Sequence, residues 1–430
     1  MTTLATRWRT LRGGVLWAQL AGMGVRLIDI PSRYAFHLLV AAKLGVAAAG
    51  GFYIVFSATM LAAGFGRVGV DRALTRAVAR AIEHGNPGAA RAAVASALRI
   101  AVLLSLATTA MLLALAVPVA RHILGKPDLA GPLAIGALVV LPLTIGVIAG
   151  GALAGLQRLN ASLMIYSWLW PLTFCLAALA VPLDIERALA LVVGATAINA
   201  IVGTILLYRW LPRGEAQAPV EPLLSTGLSL FSSEFVQLLL GYAPTLVLGI
   251  VASDAAVGLY AVAWRLALIV NLLVTTVATL SAPRFAALYA RSDGAALQRA
   301  SAQAVGFAAV LAVVPIAAML AFPGALLGLV GAGFADAATT LRLLMIGQGI
   351  AVACTASAEL LGMTAHAGTL RRINLATLAA MPVVLVPLAM IGGSAGAALA
   401  TSLTIAANGI ATTIAIRRHL GFVPLLALIA

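Results

Sequence analysis

Long apolar runs separated by short polar turns recur along the whole of this 430-residue chain. Each run holds about 20 residues, which is the length of a helix that crosses the hydrocarbon core of a bilayer. A helix satisfies its own backbone hydrogen bonds, so runs of this length favour helices over any other spanning element. We predict twelve membrane-spanning helices, at residues 14–41, 46–66, 97–118, 132–154, 161–181, 188–208, 225–251, 257–281, 302–322, 339–362, 371–391 and 393–416.

The composition supports an all-α integral membrane protein. Hydrophobic residues make up 63% of the chain and charged residues only 9%, which is too few charges for the surface of a soluble domain. The net charge of +14 would suggest nucleic acid in a soluble protein. Here the bases lie in small groups between apolar runs, a pattern that sets membrane topology, so we expect no nucleic-acid partner.

The sequence predicts no catalytic residue, cofactor or metal. The two cysteines, Cys175 and Cys354, fall inside predicted spans and offer neither a disulfide framework nor a metal cluster. We find no glycine-rich nucleotide loop, nucleophile elbow or zinc spacing. These observations argue against an enzyme and against ATP-driven transport by this chain alone.

Basic residues lie predominantly on one side of the predicted topology. Of the 27 Lys and Arg residues, 18 fall in the termini and even-numbered loops, 4 fall on the opposite side, and the other 5 lie within spans. Because cytoplasmic loops carry the excess of basic residues, we predict that both termini are cytoplasmic.

The polar loop from Tyr208 to Pro222 divides the chain into two predicted six-helix lobes, 1–214 and 215–430. A short motif recurs in both. Leu44-Gly45 precedes Gly51-Phe52-Tyr53 in the first lobe, and Leu248-Gly249 precedes Gly258-Leu259-Tyr260 in the second. This repetition predicts a duplicated architecture around a central cavity, as transporters often have.

Four segments carry a family resemblance: AAKLGVAAAGGFYIVFS at 41–57, GFGRVGVDRALTRAVAR at 64–80, LGIVASDAAVGLYAVAWRL at 248–266 and APRFAALYA at 282–290. They resemble helices two, seven and eight of polysaccharide transporters. These form the polysaccharide branch of the multidrug/oligosaccharidyl-lipid/polysaccharide exporter superfamily, which includes O-antigen flippases of lipopolysaccharide synthesis.

The resemblance implies a V-shaped pair of six-helix lobes related by a pseudo-twofold axis. It also implies alternating access in the bacterial inner membrane, moving an undecaprenyl-diphosphate-linked oligosaccharide to the periplasmic leaflet. Membrane lipids and polysaccharide polymerase or other assembly proteins are the partners it suggests.

Four polar residues of the first predicted helix, Arg26, Asp29, Arg33 and His37, are spaced so that they share one face. Charges at membrane depth are costly unless they face a cavity or a partner, and a guanidinium fork suits a diphosphate. We therefore predict that this face binds substrate. The alternative is that Arg26 snorkels to the headgroups, His37 lies near the outer interface and Asp29 only neutralises its arginine neighbours.

Further polar residues lie in later spans. We predict that Arg265 and Asn271 in helix eight line the same cavity, together with Arg342 and Gln348 in helix ten. Arg342 lies close to the start of its span, which favours a role at the membrane interface over ligand binding.

Two intramembrane carboxylates, Glu234 and Glu359, are the predicted ion-coupling residues for a proton or Na⁺. Ion pairing with Arg265 or Arg342 is the alternative role for either one.

Small and basic residues near the turns have simpler interpretations. Gly146, Gly150, Gly151 and Gly155 predict close contact between helices. The row formed by Arg72, Arg76 and Arg80 favours binding of acidic lipid over recruitment of an anionic substrate.

Two other functions compete with a flippase. A drug/cation antiporter of the same superfamily shares the expected architecture, but the arginine-rich first helix favours an anionic substrate. A membrane-embedded glycan polymerase or ligase usually carries a long external loop, whereas the predicted external loops here are short.

Overall fold

The chain is helical, with no strand, over the residues that a computed structural model describes, which are 4–214 and 222–425. Side chains are described for residues 28, 31–214, 222–229, 231, 235–331 and 333–425. The α-helices are α1 Leu4–Arg67, α2 Val70–Glu83, α3 Pro87–Pro118, α4 Ala130–Ala137, α5 Val140–Gly155, α6 Leu159–Leu163, α7 Leu169–Ala180, α8 Ile185–Trp210, α9 Leu223–Val251, α10 Asp254–Ala290, α11 Gly294–Ala321, α12 Pro323–Gly328, α13 Ala338–Ala353, α14 Thr355–Met363 and α15 Ala367–Leu420. Short π-helical turns, Val119–Ile123 and Met164–Trp168, and 3-10 turns, Pro127–Leu129 and Ala332–Ala337, connect some of them.

The all-helical membrane fold is confirmed, while the count of twelve spans stays a prediction. Among the described residues, eight helices are long and apolar enough to cross a bilayer. A ninth arises if α13 and α14, which meet at a 46° bend, form one span. The count is lower than predicted partly because α1 and α15 each include two of the predicted spans.

Glycine divides both of these long helices. Gly45 in α1 has φ 73° and ψ 177°, and Gly393 in α15 has φ 52° and ψ −127°. Both positive φ values are accessible to glycine because it has no Cβ. The two breaks lie between or beside the predicted spans 14–41 and 46–66, and 371–391 and 393–416.

Side-chain caps explain where several helices begin. The side chain of Asn86 accepts from the amide of Ala89 ahead of α3, and Pro87 occupies the first turn, where its missing N–H costs nothing. Ser253 caps α10 and Asp293 caps α11 in the same way. The polar turns that separate the apolar runs thus also supply the helix ends.

The chain forms two compact units, and each unit consists of two separate segments of the sequence. Unit 1 comprises Met1–Lys43 and Ala58–Phe235, and unit 2 comprises Leu44–Ser57 and Val236–Ala430. Compared with the predicted lobes, 1–214 and 215–430, the segment Leu44–Ser57 belongs with the later half of the chain. The beginning of α9 belongs with the earlier half, where Phe65 packs edge-on against Phe231 and Phe235.

Unit 1 is held together by small residues on α5. The amphipathic helix α2 buries Val70, Leu74 and Val78 against α3 and α5. A Cβ on Gly155 would lie 2.8 Å from the carbonyl oxygen of Thr75, and one on Gly151 would lie 2.9 Å from that of Asp71. These glycines therefore allow α2 to approach α5 closely, as the sequence predicted.

Candidate anion site in unit 2

The two copies of the repeated motif pack directly against each other inside unit 2. A Cβ placed on Gly258 would overlap the carbonyl oxygen of Val46, and one placed on Gly50 would overlap that of Asp254. Gly249 is likewise pressed against Ile54. Gly258 of the second motif and Gly50, directly before Gly51 of the first, thus bring α1 and α10 into backbone contact, a role that only a residue without a side chain can perform.

This close approach places an arginine against an aromatic ring. Arg265 of α10 is only 6% exposed, and its Cζ lies 4.4 Å from the centroid of the Tyr53 ring. One guanidinium nitrogen donates to the carbonyl oxygen of Ala261 at 3.3 Å. A cation over a desolvated ring gains about 2 kcal/mol, which only partly offsets the cost of removing the charge from water.

Tyr260 lies five residues before Arg265 on α10 and contacts another helix. Its ring is fully buried, and its hydroxyl lies 2.9 Å from the Thr401 hydroxyl on α15. Thr401 also donates to the carbonyl oxygen of Ala397 at 2.9 Å. Since that hydroxyl proton is used, the Tyr260 hydroxyl donates to Thr401, which joins α10 to α15 beside the arginine.

The charge of Arg265 has no acidic partner among the described side chains. The residue is eight positions into the predicted span 257–281, about 12 Å from its start at a rise of about 1.5 Å per residue. That depth falls in the middle third of a hydrocarbon core about 30 Å thick. An arginine at such a depth is a candidate functional residue by default, and an anion is the kind of ligand that would balance its charge.

Another buried polar group lies in the same unit. Gln348 of α13 is fully buried, and neither amide atom has a hydrogen-bond partner within the described part of the chain. A buried unpaired amide is costly and calls for water, an ion or a ligand. Gln348 lies about 15 Å into α13 by helical rise, so unit 2 has polar groups at mid-membrane depth on two helices.

The predicted face of the first helix is only partly described. Arg26 and Asp29 lie outside the residues whose side chains are described, while Arg33 is exposed and His37 is half-buried. Phe36, between them, is buried and packs edge-on against Trp170 and Phe174 at 5.0 and 4.7 Å between ring centroids. Arg33 and His37 belong to unit 1 and Arg265 belongs to unit 2.

The predicted ion-coupling and cavity residues are distributed as follows. Glu234 lies outside the described side chains, and Glu359 is half-buried in α14 with no ion pair to a described residue. Arg342 is exposed and donates to the carbonyl oxygen of Leu320 at 3.2 Å. Asn271 is half-buried, and its carbonyl oxygen accepts from Thr275. Neither pairing considered for Glu359, with Arg265 or with Arg342, is present.

Sequence reasoning identified Arg265 but missed the groups around it. Tyr53 and Tyr260 end the two copies of the repeated motif, and the repetition was interpreted as a sign of duplication only. The repetition alone does not indicate that Tyr53 meets Arg265, because this follows only from the contact between the two motifs. The sequence does not distinguish Thr401 from the many other small residues of α15, so its contact with Tyr260 could not be predicted.

Comparison with known proteins defines the class first. The chain is 15% identical to a multidrug resistance MATE family transporter of the MOP superfamily in an inward-facing conformation, with a TM-score of 0.74 over 92% of this chain and 98% of that one. It is 12% identical to the lipid II flippase MurJ in an inward closed conformation, with a TM-score of 0.72 over 96% and 91%.

A MOP superfamily transporter from Pyrococcus furiosus, described as having a binding pocket of reversed polarity, gives a TM-score of 0.64 at 16% identity over 93% of each chain. The chain therefore has the fold of the MOP superfamily transporters.

The family follows from the sequence itself. Residues 14–289 match the family model described as polysaccharide biosynthesis protein, and no curated protein matches the chain. The chain belongs to the polysaccharide biosynthesis protein family.

Proposed function

We propose that this chain is a flippase that moves undecaprenyl-diphosphate-linked oligosaccharide from the cytoplasmic to the periplasmic leaflet of a bacterial inner membrane by alternating access. The observation that carries the proposal is the buried Arg265, held against Tyr53 without a carboxylate partner among the described side chains. Its planar fork can bind two phosphate oxygens at once. A diphosphate supplies the negative charge that this site lacks.

Tyr53 fits this role because its ring orients the arginine without neutralising it. The Tyr53 ring stacks on the guanidinium, and the Tyr260 hydroxyl is engaged with Thr401. A carboxylate in the same place would compete with the substrate for the cation. Arg33 on the first helix is a second proposed diphosphate ligand, and Asn271 a proposed glycan ligand.

Coupling to a proton or Na⁺ is part of the proposal. Glu359 is half-buried within a candidate span and has no ion pair to a described residue, as a residue that takes up and releases a cation requires. Glu234 is the other proposed coupling carboxylate. Loss of the dependence of flipping on the ion gradient in Glu359→Gln, with substrate binding kept, would support this role, and unchanged dependence would contradict it.

The test is flipping of a tagged undecaprenyl-diphosphate sugar by purified protein in proteoliposomes. We expect Arg265→Gln to slow flipping at least about tenfold, because one charge-assisted hydrogen bond contributes about 1.5–3 kcal/mol. Arg342→Gln is the matched control, since Arg342 is exposed and we expect it to leave the rate unchanged. Arg33→Ala tests the second ligand separately.

Two results would overturn the proposal. If folded Arg265→Gln protein flips the substrate at the full rate, Arg265 is not a substrate ligand. Wild-type protein that exports a cationic dye but leaves the lipid-linked sugar in place would instead support a drug/cation antiporter, which the fold shared with multidrug transporters makes the second candidate. Glycan joining by the purified chain alone would indicate a polymerase or ligase.

A further inference from the structure

A groove with a volume of about 230 Å³ lies between α10 and α11, on unit 2. Its floor is made of small or buried side chains, including Ala300, Ala304 and Phe285. Its open edges are Leu280 on α10 and Phe307 on α11, which are 69% and 54% exposed. Large apolar side chains thus border a space that the chain itself does not fill.

One end of the groove is polar. Arg284 donates to the side-chain oxygen of Gln303 at 3.1 Å, and both residues line the groove. Arginine has only donors, so Gln303 must accept with its side-chain oxygen. Its NH₂ group then remains available as a donor. Two side chains therefore offer N–H groups at one end of an otherwise apolar groove.

The surrounding charge has the same sign. Between residues 284 and 299 the chain carries Arg284, Arg291 and Arg299 against one acidic residue, Asp293, whose carboxylate already accepts from the amide of Ala296. All three arginines are exposed. The turn between α10 and α11 therefore attracts anions to the polar end of the groove.

The positions along α10 match the depth profile of a phospholipid. Arg284 lies three residues beyond the end of the predicted span 257–281, about 4.5 Å by helical rise, and Leu280 lies in the last turn of that span. The headgroup layer is roughly 5–8 Å thick on each side of the hydrocarbon core. Arg284 is then among the headgroups, and Leu280 is beside the start of the acyl chains.

We propose that this groove binds one anionic phospholipid, with its phosphate at Arg284 and Gln303 and one acyl chain between Leu280 and Phe307. Basic pockets between spanning helices are the usual binding sites of acidic lipids. The volume is below the roughly 300–1,000 Å³ of ordinary small-molecule pockets, so it suits a phosphate and the start of one chain. It is too small for the glycan of a lipid-linked oligosaccharide.

The test is a lipid titration of the purified full-length chain in detergent, followed by native mass spectrometry. Phosphatidylglycerol and phosphatidylcholine with identical acyl chains are the two probes, so only the headgroup charge differs. We expect wild-type protein to bind phosphatidylglycerol about tenfold more tightly, in line with one charge-assisted contact. Arg284→Gln should abolish this preference.

Arg299→Gln is the matched control, because Arg299 is exposed on the same turn but does not line the groove, and it should keep the preference. Gln303→Leu, expected to weaken the preference partly, serves if Arg284→Gln does not fold. Leu280→Trp should reduce binding of both lipids by filling the groove.

Three outcomes would overturn the inference. Equal binding of both lipids by wild-type protein would exclude recognition of the headgroup. If Arg284→Gln and Arg299→Gln lose the preference for phosphatidylglycerol equally, diffuse surface charge and not the groove attracts the lipid. Displacement of phosphatidylglycerol by undecaprenyl diphosphate, lost in Arg284→Gln, would assign the groove to the transported lipid.

Discussion

Unit 1 and unit 2 both contain helices that touch through glycine, but their interiors enclose different polar groups. In unit 1, Thr75 and Ser162 donate to the carbonyl oxygens of Gly151 and Gly150 on α5. The hydroxyls there connect helices, and the buried carboxylate of Asp71 lies on α2 at the same contact. In unit 2 the glycine contact between α1 and α10 is accompanied by Arg265, whose partners among the described residues are a backbone carbonyl and a tyrosine ring.

The difference shows that close packing alone does not mark function. A short hydroxyl that bonds a nearby carbonyl has its hydrogen-bonding capacity used, and it contributes about 0.5–1.5 kcal/mol to stability. A buried guanidinium without an acidic partner among the described side chains costs stability instead. A charge at membrane depth is a candidate for function by default, and this is the reason for proposing the site in unit 2.

The largest expected effect is on the glycine contact of unit 2. We expect Gly258→Ala to prevent correct folding or to destabilise the protein by about 3 kcal/mol or more, because the new Cβ would overlap the backbone of Val46, which cannot rotate away. Gly349→Ala is the control, since nothing lies within 4 Å of its Cβ position. Thermal unfolding and the yield of monodisperse protein measure both. Equal stability of the two variants would contradict the close contact.

The equivalent contact of unit 1 should be less sensitive. In Gly155→Ala the Cβ would lie 2.8 Å from the Thr75 carbonyl oxygen and from the Val78 side chain, so α2 must shift slightly. We expect a loss of about 1–3 kcal/mol, measured by thermal unfolding, with flipping kept in the folded fraction. A loss of flipping in fully folded Gly155→Ala protein would mean that unit 1 packing has a direct role in transport.

The cation–π contact can be separated from simple packing. Tyr53→Leu should weaken substrate binding and destabilise the protein, by up to about 2 kcal/mol for a desolvated cation–π pair, while Tyr53→Phe keeps the ring and should keep substrate binding. Binding of undecaprenyl diphosphate and thermal unfolding are the two measurements. If Tyr53→Phe fails as badly as Tyr53→Leu, the hydroxyl and not the ring is the essential group.

The smallest effect concerns a histidine pair at the two ends of α15, with His366 directly before the helix and His419 in its last turn. The rings of His366 and His419 are 4.2 Å apart, and His366 Nδ1 lies 3.1 Å from the Thr364 hydroxyl. Burial and the nearby His419 lower the pKa of His366 below its usual 6.5. The folded state therefore favours neutral His366, so this contribution is complete above about pH 6.5 and is lost as the pH falls through the lowered pKa.

We accordingly expect a small acid-dependent loss of thermal stability in wild-type protein that is reduced in His366→Asn. Arg372→Gln, an exposed change on the following helix turn, is the control and should keep the wild-type pH profile. Identical profiles for wild type and His366→Asn would contradict the role of this pair.

The sequence by itself determined the class of protein. Apolar runs of spanning length, basic turns and few charges predict a helical membrane protein, because a helix satisfies its own backbone hydrogen bonds inside the bilayer. The predicted span boundaries, which follow from the lengths of the apolar runs, also fall beside the interruptions at Gly45 and Gly393. The repeated motif and Arg265 were visible in the sequence, and the family match at residues 14–289 agrees with the resemblance.

Only the tertiary structure decided which segments associate. The segment Leu44–Ser57 joins unit 2, and this places Tyr53 of the first motif beside Arg265, which follows the second. Hydrophobic periodicity reports that a face is apolar but not which helix covers it, since lipid and a neighbouring helix are equally apolar. The partners of a buried arginine are therefore set by backbone approach at Gly50 and Gly258, which no local pattern specifies.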